Sequence, residues 1–192
     1  MSNETLIEHY ERIRKHIQSV KRHIKLVQDA CELLGERIID NALDKLKELP
    51  EKNLSKEEES EIEKEVESEI QFAYTLMANG LKHDNSKFSG IEKEHLIVGN
   101  EDTEKLQLAF LQHVMSNDHH PEKWGNINDM PEIYLAEIAC DWFARSNEAG
   151  TDLRQWIKEE AVPKYNMSQQ GKAYRLIKKY VDLLLNDPLK RL

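Results

Sequence analysis

The sequence contains only two cysteines, Cys31 and Cys140, among its 192 residues. That count argues against a disulfide framework, offers no thiolate metal motif, and is compatible with reduced thiols in a reducing compartment. No apolar run approaches the ~18 residues that a membrane span needs. The opening MSNETLIEH lacks the basic start and apolar stretch of a signal peptide, so a soluble, cytoplasmic protein without membrane contact is expected. A basic excess is missing too. The formal net charge of −9 argues against broad nucleic-acid binding, which relies on clustered Lys and Arg. A small anionic substrate remains open, because metal ions supply local positive charge inside a cleft even under an acidic surface. No internal repeat or low-complexity linker marks a second domain, so residues 1–192 are expected to form one domain that buries its core without staples.

Strand alternation is absent as well, and helical patterns run along almost the whole chain. Ile13, Ile17, Val20, Ile24, Val27, Cys31, Leu34 and Ile38 follow alternating steps of four and three and paint one apolar seam along a long helix. Gly35 lies inside that seam, where a break or kink would fit. LPEKNLS reads as a turn, with Ser55 and Glu58 forming a capping box for a second helix that carries Ile62, Val66, Ile70, Ala73 and Met77 on one face and ends at Gly80. The Glu-rich stretch 56–70 reads as a solvated helix face. A third helix is expected from near Asn100, with Glu101, Asp102 and Glu104 in its first turn, burying Leu106, Ala109, Phe110 and Val114. A fourth is expected from near Asp129, with Pro131 in its first turn and Glu132 completing a box, up to Gly150. Helices over roughly 152–161 and 168–186 close the chain.

Onto these helices the sequence places a set of metal-capable side chains: His23, His83, Asp84, His113, His119, His120 and Asp141. Imidazole and carboxylate together suit Mn, Fe, Co, Zn or Mg, and six or so such groups suffice for one or two ions. His9, His16 and His23 share one helix flank. His23 and His83 lie at equal distances from a turn centred near residue 53, so an antiparallel helix pair sets them side by side, whereas His16 overshoots by ~10 Å. His23 is therefore the preferred ligand, His16 an outer or surface group, and His9 and His95 surface residues. His113 falls on the expected buried face of its helix and needs a polar partner there. Asp141, beside Cys140 and Trp142 in an apolar stretch, must be paired or metal-bound to stay charged. Glu137, one turn from Asp141, is a candidate to orient a ligand, with an exposed surface acid as its alternative.

The strings HDNSKF (83–88), NDHHPEKW (117–124) and EIACDWFARS (137–146), with His23 ahead of them, resemble the HD-domain superfamily of metal-dependent phosphohydrolases, in particular its multi-metal members. The finer pattern is similar to a small uncharacterised HD-like family of short helical proteins, over about 23–150. The resemblance implies an all-α, HD-like bundle of about six or seven helices. Residues 36–70 depart from the family pattern and are expected to form a protruding acidic helical hairpin, which offers a surface for homodimer formation. The resemblance also implies that His23, His83, Asp84 and Asp141 hold one ion, with Asp84 bridging to a second completed by His113 and either His119 or His120. Asp84 and Lys87 would be the catalytic pair, Lys87 lying near a substrate phosphate. Asn117, Glu122 and Trp124 would flank the substrate, with Trp124 equally suited to anchoring a loop. The implied activity is hydrolysis of a nucleotide or related small phosphate ester by metal-activated water. Two alternatives use the same residues: a di-iron oxygenase of HD type, and a non-catalytic helical binding protein with a vestigial site.

Overall fold

The computed structural model describes residues 5–99 and 102–185, and no strand occurs among them. Helix α1 (Leu6–Glu48) starts at a capping box between Thr5 and Glu8 and runs unbroken for 43 residues. The expected kink at Gly35 does not occur. A Cβ at Gly35 would stand 2.5 Å from Met77 Cε, so the Met77 thioether from the facing helix packs where a side chain would otherwise stand. The apolar seam is buried from Ile24 onward, whereas Ile13, Ile17 and Val20 are only half-buried because the first turns of α1 reach past the body.

A short 3-10 turn at Leu49–Glu51 reverses the chain, and Ser55 and Glu58 cap α2 (Lys56–Gly80) in the expected reciprocal way. Its buried residues are Val66, Ala73, Leu76 and Gly80, so Leu76 joins the core while Ile62, Ile70 and Met77 sit at its edge. Gly80 closes the helix for a reason other than a left-handed cap. The following Leu81 stays right-handed, and a Cβ at Gly80 would meet Cys31 Cβ at 2.7 Å. The glycine lets α1 and α2 approach closely just before the His83 turn.

The hairpin is integrated into the body at its base. Ile38, Ala42 and Val66 are buried, and Arg37 donates to the carbonyls of Leu183 and Leu184. Among the described side chains of 43–65 none is buried, so the projecting part is shorter than 36–70. Its acidic face is solvated, with Lys45 bridging Glu65 and Glu69.

Two short helices follow α2: α3 (Gly90–Glu92), which continues as a π-helical turn Lys93–Ile97, and α4 (Thr103–Ser116). Asp102 caps α4 by accepting from the Lys105 amide at 3.2 Å; Asn100 and Glu101 lie outside the described residues. Ala109, His113 and Val114 are buried as expected, but Leu106 and Phe110 are 41% and 54% exposed. These two lie on the same side of α4 as His113, and Phe110 borders an open cleft there instead of a packed neighbour.

α5 (Glu132–Ala149) begins three residues later than the sequence suggested, with Pro131 as its N-cap and no side-chain cap. Met130 precedes a proline and is held extended at φ −66°, ψ 130°, which stops helical dihedrals from passing back through Pro131. Glu132 instead accepts from the Tyr180 hydroxyl at 2.5 Å. Gly150 ends α5 in the left-handed region. After it come α6 (Leu153–Trp156), a π-helical turn Ile157–Ala161, α7 (Val162–Lys164) and α8 (Lys172–Leu185). α8 starts later than Ser168 because Ser168 and Gly171 close a turn first. The core sits where α1, α2, α5 and α8 meet, around Leu34, Leu76, Leu135, Ile177 and Tyr180. No helix among the described residues is long and apolar enough to cross a membrane.

The two helical glycines predict responses of different size. Gly80→Ala forces the rigid Cys31 Cβ aside and should lower stability by about 1–2 kcal/mol despite the better helix propensity of Ala. Gly35→Ala meets only the Met77 side chain, at Cε and Cγ, which can shift as an unbranched thioether, and should change stability by less than about 1 kcal/mol. Urea denaturation of both variants measures the difference.

Candidate metal centre

Five separate pieces of chain deliver side chains to one buried spot. α1 contributes His23. The turn after α2 contributes His83 and Asp84, with Asp84 at φ 56°. A left-handed dihedral at a non-glycine residue is costly and persists where surroundings over-determine it; here it turns the Asp84 carboxylate back towards the His83 ring. α4 contributes His113. The loop after α4 contributes His119 and His120, and α5 contributes Asp141. The loop is pinned by Trp124, whose indole donates to the Asp118 carbonyl at 2.9 Å, and by Lys123, which bonds Asp118 and the Met115 carbonyl.

All seven sequence-predicted ligands converge. The His23 and His83 rings are 6.1 Å apart between centroids and those of His83 and His119 4.2 Å, as equal distances from the hairpin turn required for the first pair. His23 Nε2 stands 2.9 Å from Asp141 Oδ1. His113 Nε2 is 3.2 Å and His119 Nε2 3.7 Å from Asp84 Oδ1, while His83 Nε2 is 3.7 Å from Asp84 Oδ2. His120 Nε2 and His113 Nε2 are 3.0 Å apart. These atoms form three overlapping groups with metal-ligand spacing: His23, His83 and Asp84; His83, His119 and Asp141; and Asp84, His113 and His120. His120 thus accompanies His113, whereas His119 sits with His83 and Asp141.

A second layer of carboxylates grips the outer nitrogens. Glu148 lies 2.9 Å from His23 Nδ1, Glu92 2.9 Å from His113 Nδ1, and Glu137 lies 3.1 Å from His83 Nδ1 and 3.3 Å from His119 Nδ1. Glu137 is buried rather than a surface acid, so the orienting role read from the sequence matches its position. Glu148 and Glu92 were not anticipated. Glu148 carried a signal, since it follows Asp141 by seven residues and shares its helix face; Glu92 sits in a short irregular segment with no periodicity to flag it.

Four inner atoms, His23 Nε2, His83 Nε2, Asp84 Oδ1 and Asp141 Oδ1, are buried without a hydrogen-bond partner. His23 Nε2 and Asp141 Oδ1 are close, yet their approach lacks hydrogen-bond geometry. Buried polar atoms are ordinarily satisfied, and four orphans facing one another mark a place for a cation that takes a lone pair from each of them.

The electrostatics follow from crowding. Burial works against ionisation of Asp84, but the adjacent His113, with the charges of His83, Lys87 and His119, outweighs it and holds the carboxyl well below the usual range. Burial likewise opposes ionisation of Asp141, and His23 beside it wins in the same direction. Glu137 is lowered to about 2 against its own burial by His119 and His83. His120 is pushed down to about 3, by burial first and then by His119 and His113.

The other predicted residues divide. Lys87 bonds Asp84 at 2.5 Å and lines the cleft above the site. Asn117 turns inward behind His113, donating to its carbonyl at 2.7 Å and to Ser86 Oγ at 2.9 Å, so it braces α4 and does not line the cleft. Glu122 is at the surface, 3.4 Å from Lys164. Trp124 stacks on Tyr134 and anchors the loop, the second of the two roles expected for it. His16 reaches the Leu96 carbonyl at the cleft mouth, and His9 stays peripheral. His95, expected at the surface, is buried, because the π-helical turn rotates it inward.

Acid should therefore weaken the metal-free fold early. His120 has a folded value below its ordinary 6.5, so its neutral form contributes stability above pH 6.5 that is lost as pH falls towards 3. Glu137 adds a loss from about 4.5 downward towards 2. Urea midpoints in chelator at pH 8, 6, 5 and 4 should fall steadily, and His120→Asn should flatten the part between 6.5 and 4.5.

No curated protein and no solved structure matches the chain. A family model described as "Family of unknown function (DUF5662)" matches residues 12–186, and with nearly the whole chain covered the protein belongs to that family.

Proposed function

We propose that the protein is a metal-dependent phosphohydrolase of HD type, acting on a small phosphate ester. The observation that carries this reading is the set of four inward-facing, unsatisfied nitrogen and oxygen atoms whose imidazole rings are clamped from behind by carboxylates. A carboxylate that accepts from Nδ1–H keeps the imidazole proton on that nitrogen and leaves the Nε2 lone pair aimed at the centre, the usual support for a metal-bound histidine. The acids Asp84, Glu92, Glu137, Asp141 and Glu148 also outnumber the cations Lys87, Arg22 and Arg145 at the site, so the cluster favours a cation. The nitrogen and oxygen donors fit Mn, Fe, Co, Zn or, less well, Mg.

When bound, such an ion supplies a water acidified towards a pKa of ~7 and positive charge for phosphoryl oxygens. The chain's own residues do the remaining work. Asp84 turns its two oxygens to different neighbours, His113 and His119 on one side and His83 and Lys87 on the other, and so suits a ligand shared between two positions. Glu137 orients His83 and His119 at once. Lys87 brings a cation to the cleft, where it neutralises Asp84 and faces an arriving phosphate. The imidazole-rich donor set equally suits two irons, which keeps oxygen activation as a second reading; iron-loaded protein that consumes oxygen with an organic substrate and cuts no phosphate ester would decide for it.

Elemental analysis of protein purified without chelator, followed by a screen of phosphomonoesters and phosphodiesters with Mn, Mg, Co and Fe, tests the proposal. His83→Ala and Asp84→Ala should lose bound metal and hydrolysis together; full metal stoichiometry in both would refute the assignment. Glu137→Ala should weaken metal affinity about 10- to 100-fold. Lys87→Ala should keep the metal and weaken phosphate binding.

A further inference from the structure

A cleft of about 400 Å³ opens over the metal centre between α1, the π-helical turn and α4. His23, His113 and His120 form its floor. Val20, Leu96, Ile97 and Phe110 give its walls most of their apolar surface, Lys87 and Arg145 add cations, and Ser19 and His16 are the remaining polar members. Among the described residues no carboxylate lines it, although the chain as a whole carries a net charge of −9.

Phe110 is the unusual member. It lies one helical turn before His113 on the same side of α4, yet it is 54% exposed. A large aromatic ring facing the body of a protein is ordinarily covered, and here it borders the open cleft. Arg145 is the less committed of the two cations. Lys87 is bonded directly to Asp84, whereas the Arg145 guanidinium stands 3.7 Å from Glu148 and 3.9 Å from Asp141, with its side chain 59% exposed. It can swing to an incoming anion without breaking a short bond.

We infer that this cleft selects phosphomonoesters whose esterified alcohol is apolar, with Phe110 as the wall that covers the apolar group and Arg145 as the contact for the phosphate. The inference rests on the phosphohydrolase reading and narrows its substrate class. A sugar or polyol phosphate would set most of its hydroxyl groups against Val20, Leu96, Ile97 and Phe110, with Ser19 and the already bonded His16 as the uncharged polar side chains of the walls, while an aryl or alkyl group removes that apolar surface from water. The second apolar stripe of α4, Leu108, Leu111 and Met115, points the opposite way and takes no part.

Non-hydrolysable phosphonates separate this inference from the reading beneath it. Binding of phenylphosphonate, hexylphosphonate, methylphosphonate and inorganic phosphate to the metal-loaded protein is measured by calorimetry. The two larger phosphonates should bind at least about tenfold tighter than methylphosphonate. Phe110→Ala should cut that preference below about threefold, Leu108→Ala should leave it intact, and Arg145→Gln should weaken all four ligands alike. Preference for the phenyl ligand alone would assign a ring, and equal preference an alkyl or aryl group of either kind; both support an apolar substrate. Equal binding of all four, or a Phe110→Ala protein that keeps the preference, overturns the inference and leaves phosphate recognition standing. Arg145→Gln without effect removes Arg145 from the assignment. Failure of every ligand to bind overturns both the inference and the phosphohydrolase reading.

Discussion

The grip of buried carboxylates on the outer nitrogens of the histidines is the interaction on which the rest of the site depends. Without Glu137, Glu92 and Glu148 the imidazoles would be free to rotate and pair with one another or with Asp84 and Asp141, and the centre would close on itself. With them, the rings of His23, His83, His113 and His119 each have one nitrogen held and the other turned inward. The result is a pocket of polar atoms that satisfy no one inside the protein. Such an arrangement costs folding free energy, and it persists because α1, α2, α4 and α5 are fixed by packing elsewhere.

That packing is mostly a matter of one long hairpin. α1 and α2 run side by side, and their closest approach is set by Gly35 against Met77 and Gly80 against Cys31. The second contact lies three residues before His83, so helix spacing and site geometry are linked. α5 then crosses the hairpin and delivers Glu137, Asp141 and Glu148 on one face, while α8 and the Arg37 contacts to Leu183 and Leu184 hold the arrangement from behind. At the site, strain is placed at Asp84, whose left-handed backbone brings adjacent residues, His83 and Asp84, to bear on the same centre.

Several features were legible because they are local. The capping box at Ser55 and Glu58, the continuous seam from Ile24 to Ile38 and the stop at Gly150 follow from dihedral preference and helical period. The pairing of His23 with His83 was legible for a different reason: a straight hairpin converts sequence distance from the turn into position along an axis. Errors arose where neighbours overrode a local rule. Pro131 looked like a first-turn residue but, through its effect on Met130, became the cap. Leu106 and Phe110 had the period of a buried face, yet the body provides no surface opposite them. His95 lay in a polar string, and a π-helical turn carried it inside.

By itself, then, the sequence determined that the chain is helical, where most helices start and stop, and which seven side chains have the chemistry of a metal centre, since composition, period and capping are properties of neighbouring residues. Only the tertiary structure decided that those seven meet, that Glu92 and Glu148 stand behind them, that His119 sides with His83 and His120 with His113, and that Trp124 and Asn117 serve the scaffold. Those outcomes depend on how helices cross and on one left-handed turn at Asp84, and neither leaves a periodic trace in the order of amino acids.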